Sequence, residues 1–287
     1  MRIPKFWTKG SYTGPNGKGG ESTFSAWGWS LDSLAAARDD AAARAKRVFD
    51  CVINGKRLDR YEYVDRPMRE EIVDVLHQGQ KEVAIVTRNG YGALVLNAAS
   101  VMFVDVDFPR IKANGLWDGI LLALSRARRQ QRAAATREAT LEAIRRWSQA
   151  NPDRSFRVYR TFAGLRLLFV DGLYEPTSEV VDHLLAELGS DPLYRRLTSK
   201  QACFRARLTP KPWRCHCISP PNRYPWKDAE AQERYRAWER QYAEASKAYA
   251  VCELVETCGS TTPGGEVAQI LELHDRHACD GAKAKLA

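Results

Sequence analysis

The chain has no apolar run near the ~20 residues that a membrane-spanning helix needs. Its longest runs, such as Val101–Val104 and Leu167–Val170, are short. Met1 to Lys5 carry no apolar stretch of the kind that opens a secretory signal. The expectation is a cytoplasmic chain with no membrane partner. Common catalytic signatures are missing too. There is no Gly-x-Ser-x-Gly, no His-Glu-x-x-His, no Gly-x-Gly-x-x-Gly, and no Gly-Lys-Ser/Thr to end a phosphate loop.

The most informative absence is of acid. From Pro192 to Lys227 there is no Asp or Glu. The same stretch carries Arg195, Arg196, Arg205, Arg207, Lys211, Arg214 and Arg223, interleaved with Tyr194, Phe204, Trp213, Tyr224 and Trp226. Cations neutralise phosphates and aromatic faces stack on bases, so this segment is the candidate nucleic-acid surface. The whole chain agrees in sign: 44 Lys and Arg against 35 Asp and Glu give a formal charge of +9.

Seven cysteines, an odd number without secretory context, argue against a disulfide framework. Cys215, Cys217, Cys252 and Cys258 could supply four thiolates, with His274 or His277 replacing some. One spacing is too short and the other too long for paired zinc knuckles. Free or buried thiols are expected rather than zinc. Cys51, Cys203 and Cys279 stand apart in the sequence. His274 and His277 lie one turn apart on a C-terminal helix, where a surface or packing role is expected.

At 287 residues the chain is long enough for a substantial core. Residues 1–23 are rich in Gly, Ser, Lys and Thr and read as a flexible arm. Residues 24–80 read as a helical segment, in which Ser30 or Asp32 caps an Ala-rich helix reaching Phe49. Residues 81–210 read as the core. Val83–Thr87 and Gly92–Leu96 flank an Asn-Gly turn as a hairpin, and Val101–Phe108 is a third strand. Leu116–Ala150 is a long helix. Phe156–Phe162 and Leu165–Val170 form a second hairpin, Thr177–Leu188 is a helix, and Cys203–Leu208 is a last strand. The order ββ-β-α-ββ-α-β predicts an α+β fold with a mixed, largely antiparallel sheet and flanking helices. Residues 211–287 read as a Pro-rich basic segment with C-terminal helices. Tyr235, Trp238, Tyr242 and Tyr249 form a packing stripe there.

Asp105 and Asp107 are the sharpest motif. Residues two apart on a strand share a face, so both carboxylates point one way at the end of an apolar strand. A divalent cation, Mg²⁺ or Mn²⁺, relieves their repulsion and can place a triphosphate. Arg160 and Arg166 flank the Gly turn of the next hairpin, and they suit either phosphates or the aspartates themselves.

An apolar strand ending Asp-x-Asp, then a helix, then a strand pair with a small-residue, Gly, basic pattern resembles the archaeo-eukaryotic primase-polymerase superfamily. The resemblance spans residues 83 to 210. It implies that Asp105 and Asp107 hold metal and that Thr161, Gly164 and Arg166 form the nucleotide-binding second motif. Arg166 stands where the family has histidine. The last strand offers arginines where a third acid is wanted, leaving Asp171 as the nearby substitute. Two readings follow: a nucleic-acid-associated protein that binds nucleoside triphosphate and metal as a nucleotidyltransferase would, or a non-catalytic nucleic-acid- or protein-binding module with a vestigial metal site.

Overall fold

The computed structural model describes residues 1–17, 19–56, 67–279 and 285–287. The stretch 57–66 of the expected helical segment lies outside the described residues.

The chain opens with a hairpin, not an arm. Strand β1 (Phe6–Pro15) pairs antiparallel with β2 (Glu21–Ser30), and helix α1 (Leu34–Ile53) lies across both. Gly10 and Gly14, within the stretch that suggested flexibility, and Gly28 beyond it permit close packing on α1. A Cβ on Gly28 would stand 2.2 Å from the Ala41 nitrogen, so only glycine lets the alanine face of α1 rest on the strand. Ala37, Ala41, Ala45 and Phe49 form that face. The helix is capped by Ser33, whose hydroxyl accepts from the Ala36 amide. Ser30 supports the turn before it, accepting from the Asp32 and Ser33 amides.

Strands β3 (Glu71–Gln78), β4 (Lys81–Arg88) and β5 (Leu94–Ala98) form an antiparallel meander. Asn89 closes the β4–β5 turn, its side-chain oxygen accepting from the Tyr91 and Ala93 amides. Strand β6 (Phe103–Asp107) then leaves this sheet. Helices α2 (Leu116–Leu124) and α3 (Arg126–Ala150) follow. The single long helix expected here breaks at Ser125, whose hydroxyl caps α3 at the Arg128 amide. Next come β7 (Phe156–Thr161), β8 (Gly164–Phe169), α4 (Glu179–Glu187), α5 (Pro192–Gln201) and β9 (Phe204–Arg207). A 3₁₀ turn at Pro212–Arg214 leads to α6 (Ala229–Ser246). The chain ends with β10 (Tyr249–Ala250), β11 (Cys252–Cys258), α7 (Gly265–Ala278) and β12 (Lys285–Leu286).

The α+β class with antiparallel pairing is observed, and the core strands divide between two four-stranded sheets. One has the order β3-β4-β5-β9 and the other β11-β7-β8-β6. The C-terminal region, expected to be helical, supplies β11 as an edge strand of the second sheet. One apolar core runs across both sheets, joining Val86 and Leu96 to Phe103, Leu167, Phe169 and Phe204. The edge strands β6 and β9 lie near each other, bridged by Tyr194 of α5. Its hydroxyl donates to the Phe103 carbonyl at 3.0 Å and accepts from the Arg205 amide at 3.3 Å. The seam between the sheets places the candidate site. The aromatic stripe on α6 is packing, as read: Tyr235, Trp238 and Tyr242 are buried with Cys215.

Candidate functional site

At the seam, Asp105, Asp107, Thr161, Phe162, Gly164, Arg166, Arg207, Lys211 and Arg214 line one cleft. Strand β6 brings the two aspartates and pairs with β8 in a register that sets Asp105 beside Arg166 and Asp107 beside Gly164. Glycine is required at that last position, because a Cβ would meet the Val106 carbonyl oxygen at 2.2 Å. Thr161 closes the β7–β8 turn, its hydroxyl donating to the Gly164 carbonyl at 3.1 Å. The residues of both sequence motifs therefore converge through one antiparallel register.

Arg166 is buried and held on several sides. Its Nε donates to Asp105 Oδ1 at 3.1 Å and its Nη1 to the Arg207 carbonyl at 3.0 Å, joining the two sheets. Nη1 also lies 3.4 Å from His274 Nε2. Burial alone would lower its proton affinity, but Asp105 outweighs this and holds it above the usual guanidinium range. Asp107 shifts as well: burial, then the charges of Asp105 and Asp191, raise its carboxyl above the usual range, with Lys211 opposing. Asp191 caps α5 and is brought near by Ser190, whose hydroxyl donates to the Asp105 carbonyl at 3.1 Å.

The cleft carries more positive charge than its aspartates offset. Burial, reinforced by Arg166, pushes the Arg207 guanidinium down to about 10. Lys211 is lowered by burial and then by Arg207 and Arg214, and Arg214 is lowered by burial. Three cations, Arg207, Lys211 and Arg214, thus cluster beside the two carboxylates. The rim of the cleft is aromatic. The Arg214 guanidinium sits 4.0 Å from the centre of the Phe162 ring, which is 57% exposed. Trp213 and Tyr91, about half exposed, meet edge-on at 5.2 Å with Lys211 over the Trp213 ring. A second groove of about 460 Å³ adjoins the cleft, lined by Tyr91, Asp105, Arg166, Arg205, Arg207 and Arg223 among others.

Several residues singled out from the sequence lie elsewhere. Arg160 does not line the cleft and pairs with Glu253 on β11 at 2.7 Å. Asp171 follows the far end of β8, accepts from the Tyr174 hydroxyl at 2.7 Å and faces Arg154. The basic segment is not one stripe. Arg205 is held by Glu70 at 2.7 Å, and Arg195 by Asp182 through two hydrogen bonds. Arg196 lies with Arg195 beside the start of α4. The acid-free stretch thus draws partners from other parts of the chain, leaving Arg207, Lys211 and Arg214 to converge.

The four cysteines considered together do not assemble. Cys215 and Cys217 belong to the α6 cluster, and Cys258 ends β11 six residues beyond Cys252. Cys252 instead meets His274 and Cys279. Among the described residues, these three form the group of potential metal donors whose ligand atoms lie within 4.8 Å of one another. Sequence spacing could not reveal it, because the donors come from β11 and the last turn of α7. Phe162 and Asp191 were also missed. Phe162 looked like a strand end, and no element was expected to begin at Asp191, the cap of α5.

Comparisons of the chain with protein-family models, with curated proteins and with solved structures find no match.

Proposed function

We propose that the cleft binds the phosphate groups of a nucleotide or nucleic acid, with bases resting on the aromatic rim, and that a divalent cation joins through Asp105 and Asp107. This is the chemistry of a primase-polymerase-like core. The observation that carries it is the convergence of Arg207, Lys211 and Arg214 with lowered proton affinity beside two carboxylates. A phosphate would raise the proton affinity that burial lowers, and Phe162 and Trp213 offer exposed faces for stacking. The adjoining groove falls within the ~300–1,000 Å³ of small-ligand sites.

The carboxylate pair fits Mg²⁺ or Mn²⁺. Burial and then the repulsion of Asp105 and Asp191 raise Asp107, and a cation would offset both. Among the described residues no third donor joins these two at ligand range, so water and phosphate oxygens would complete the shell, as Mg²⁺ prefers. Arg166, standing where the family has histidine, would position Asp105 rather than meet the nucleotide first.

The Asp105–Arg166 ion pair favours a second reading, binding without catalysis, because it occupies one carboxylate oxygen that a metal would use. Competition separates the two. A fluorescent ATP analogue should bind the wild type more tightly with Mn²⁺ and be displaced by unlabelled ATP. Displacement by single-stranded DNA, with no metal effect, supports the second reading. No binding of either ligand removes both.

A further inference from the structure

We infer that Cys252, His274 and Cys279 form a metal site for a single thiophilic divalent cation, Zn²⁺ by preference, that fastens α7 to β11 behind the cleft. Cys252 Sγ lies 3.5 Å from Cys279 Sγ and 3.8 Å from His274 Nε2. Zn–S bonds of ~2.3 Å and Zn–N bonds of ~2.0 Å arranged tetrahedrally put donor atoms ~3.5–3.8 Å apart. These two edges of the donor triangle already have the lengths that one zinc ion imposes.

The imidazole is oriented for the task. His274 Nδ1 lies 2.9 Å from Asp275 Oδ1, which can accept its proton and leave Nε2, 3.8 Å from Cys252 Sγ, to a metal. Asp275 is itself fixed by the Tyr159 hydroxyl at 2.7 Å and by Arg157 at 2.9 Å. A carboxylate behind the ligating histidine is the usual support of a zinc site. Metal binding would displace the thiol protons and leave two thiolates and a neutral imidazole. The fourth position would fall to water or to the Ala278 carbonyl, 4.0 Å from Cys252 Sγ.

The same atoms trace a Cys–His–Asp series, but Cys252 and His274 are completely buried, so no substrate reaches the sulfur. A structural ion suits that burial. Its further effect would be on Arg166, whose Nη1 lies 3.4 Å from His274 Nε2 while its Nε holds Asp105.

The test is titration of the reduced, chelator-stripped full chain with Co²⁺. The expected result is one equivalent bound, a thiolate-to-cobalt charge-transfer band and tetrahedral visible bands, all displaced by Zn²⁺, with a rise in thermal midpoint. Cys279→Ser should abolish the charge-transfer band or weaken binding at least tenfold, and Cys258→Ser should leave both unchanged. Asp275→Asn should weaken Zn²⁺ binding about 10–100-fold while keeping the band, since it removes only the support. Should Cys252→Ser fail to fold, Cys279→Ser, at the more accessible end of α7, carries the test. Absence of the band, its loss in Cys258→Ser, or a Cys252–Cys279 disulfide in protein purified without reductant would overturn the inference.

Discussion

Arg166 and Asp105 face each other across adjacent strands, Nε to Oδ1 at 3.1 Å, with the arginine side chain 3% exposed and the aspartate 36%. The buried partner also holds the Arg207 carbonyl on the neighbouring sheet. One side chain therefore fixes the carboxylate of the cleft and the seam beneath it. Arg166→Ala should cost about 3 kcal/mol, near the lower end for breaking a buried pair, because Asp105 can still be hydrated. Chemical denaturation would measure this. An unchanged midpoint would mean that the seam does not depend on Arg166.

Gly164 permits the approach of β8 to β6. Gly164→Ala should destabilise by about 1–3 kcal/mol or more, since the added carbon meets the Val106 carbonyl and the Asp107 Cα, backbone of the paired strand. Gly172→Ala meets nothing within 4 Å and should stay within about 0.5 kcal/mol of wild type. Equal costs would show that the close register is not what matters.

On the proposed function, the basic segment separates into binding and structural arginines. Alanine at Arg207, Lys211 or Arg214 should each weaken single-stranded DNA binding. Each should also flatten the salt dependence by about 0.7 in log–log slope for every phosphate no longer neutralised. Arg205→Ala should leave the slope alone and lower stability, because its partner is Glu70. Titrations at several salt concentrations decide this. A slope change for Arg205 and none for Arg207 would reverse the assignment.

The pH dependence has a defined sign. Arg207, lowered to about 10, and Lys211, also lowered, bind anions only when protonated. Affinity for pyrophosphate without metal should fall as pH rises toward 10. Asp107 has a raised proton affinity, so Mn²⁺ binding should weaken on the acid side of neutrality, where that carboxyl takes up its proton. Calorimetry in buffers of different ionisation enthalpy would show proton uptake with pyrophosphate and release with Mn²⁺. The opposite pattern would exclude these groups.

Much of this was legible in the residues, because local rules governed it. The apolar run Val83–Thr87, the Asn89 turn and the two aspartates spaced by Val106 each follow from short-range geometry. The glycines at 10 and 14 misled, because flexibility and close packing share one composition. Only the alanine face of α1 distinguishes them, and that requires knowing which elements meet. The division into two sheets was hidden because strand patterns do not name partners. Arg160 and Asp171 carried the right chemistry on the wrong face or end of a strand. Cys279 and His274 find Cys252 only through the docking of α7.

The most direct test of the central claim is calorimetric titration of ATP into the wild type and into Arg207→Ala/Arg214→Ala, each with and without Mn²⁺, alongside Asp105→Asn/Asp107→Asn. Binding to wild type should weaken by at least about tenfold in the arginine variant under both conditions, since each charged hydrogen bond is worth roughly 1.5–3 kcal/mol. The aspartate variant should lose only the gain from Mn²⁺. Binding that survives in the folded arginine variant, or none in wild type, would contradict the claim that Arg207 and Arg214 hold phosphate.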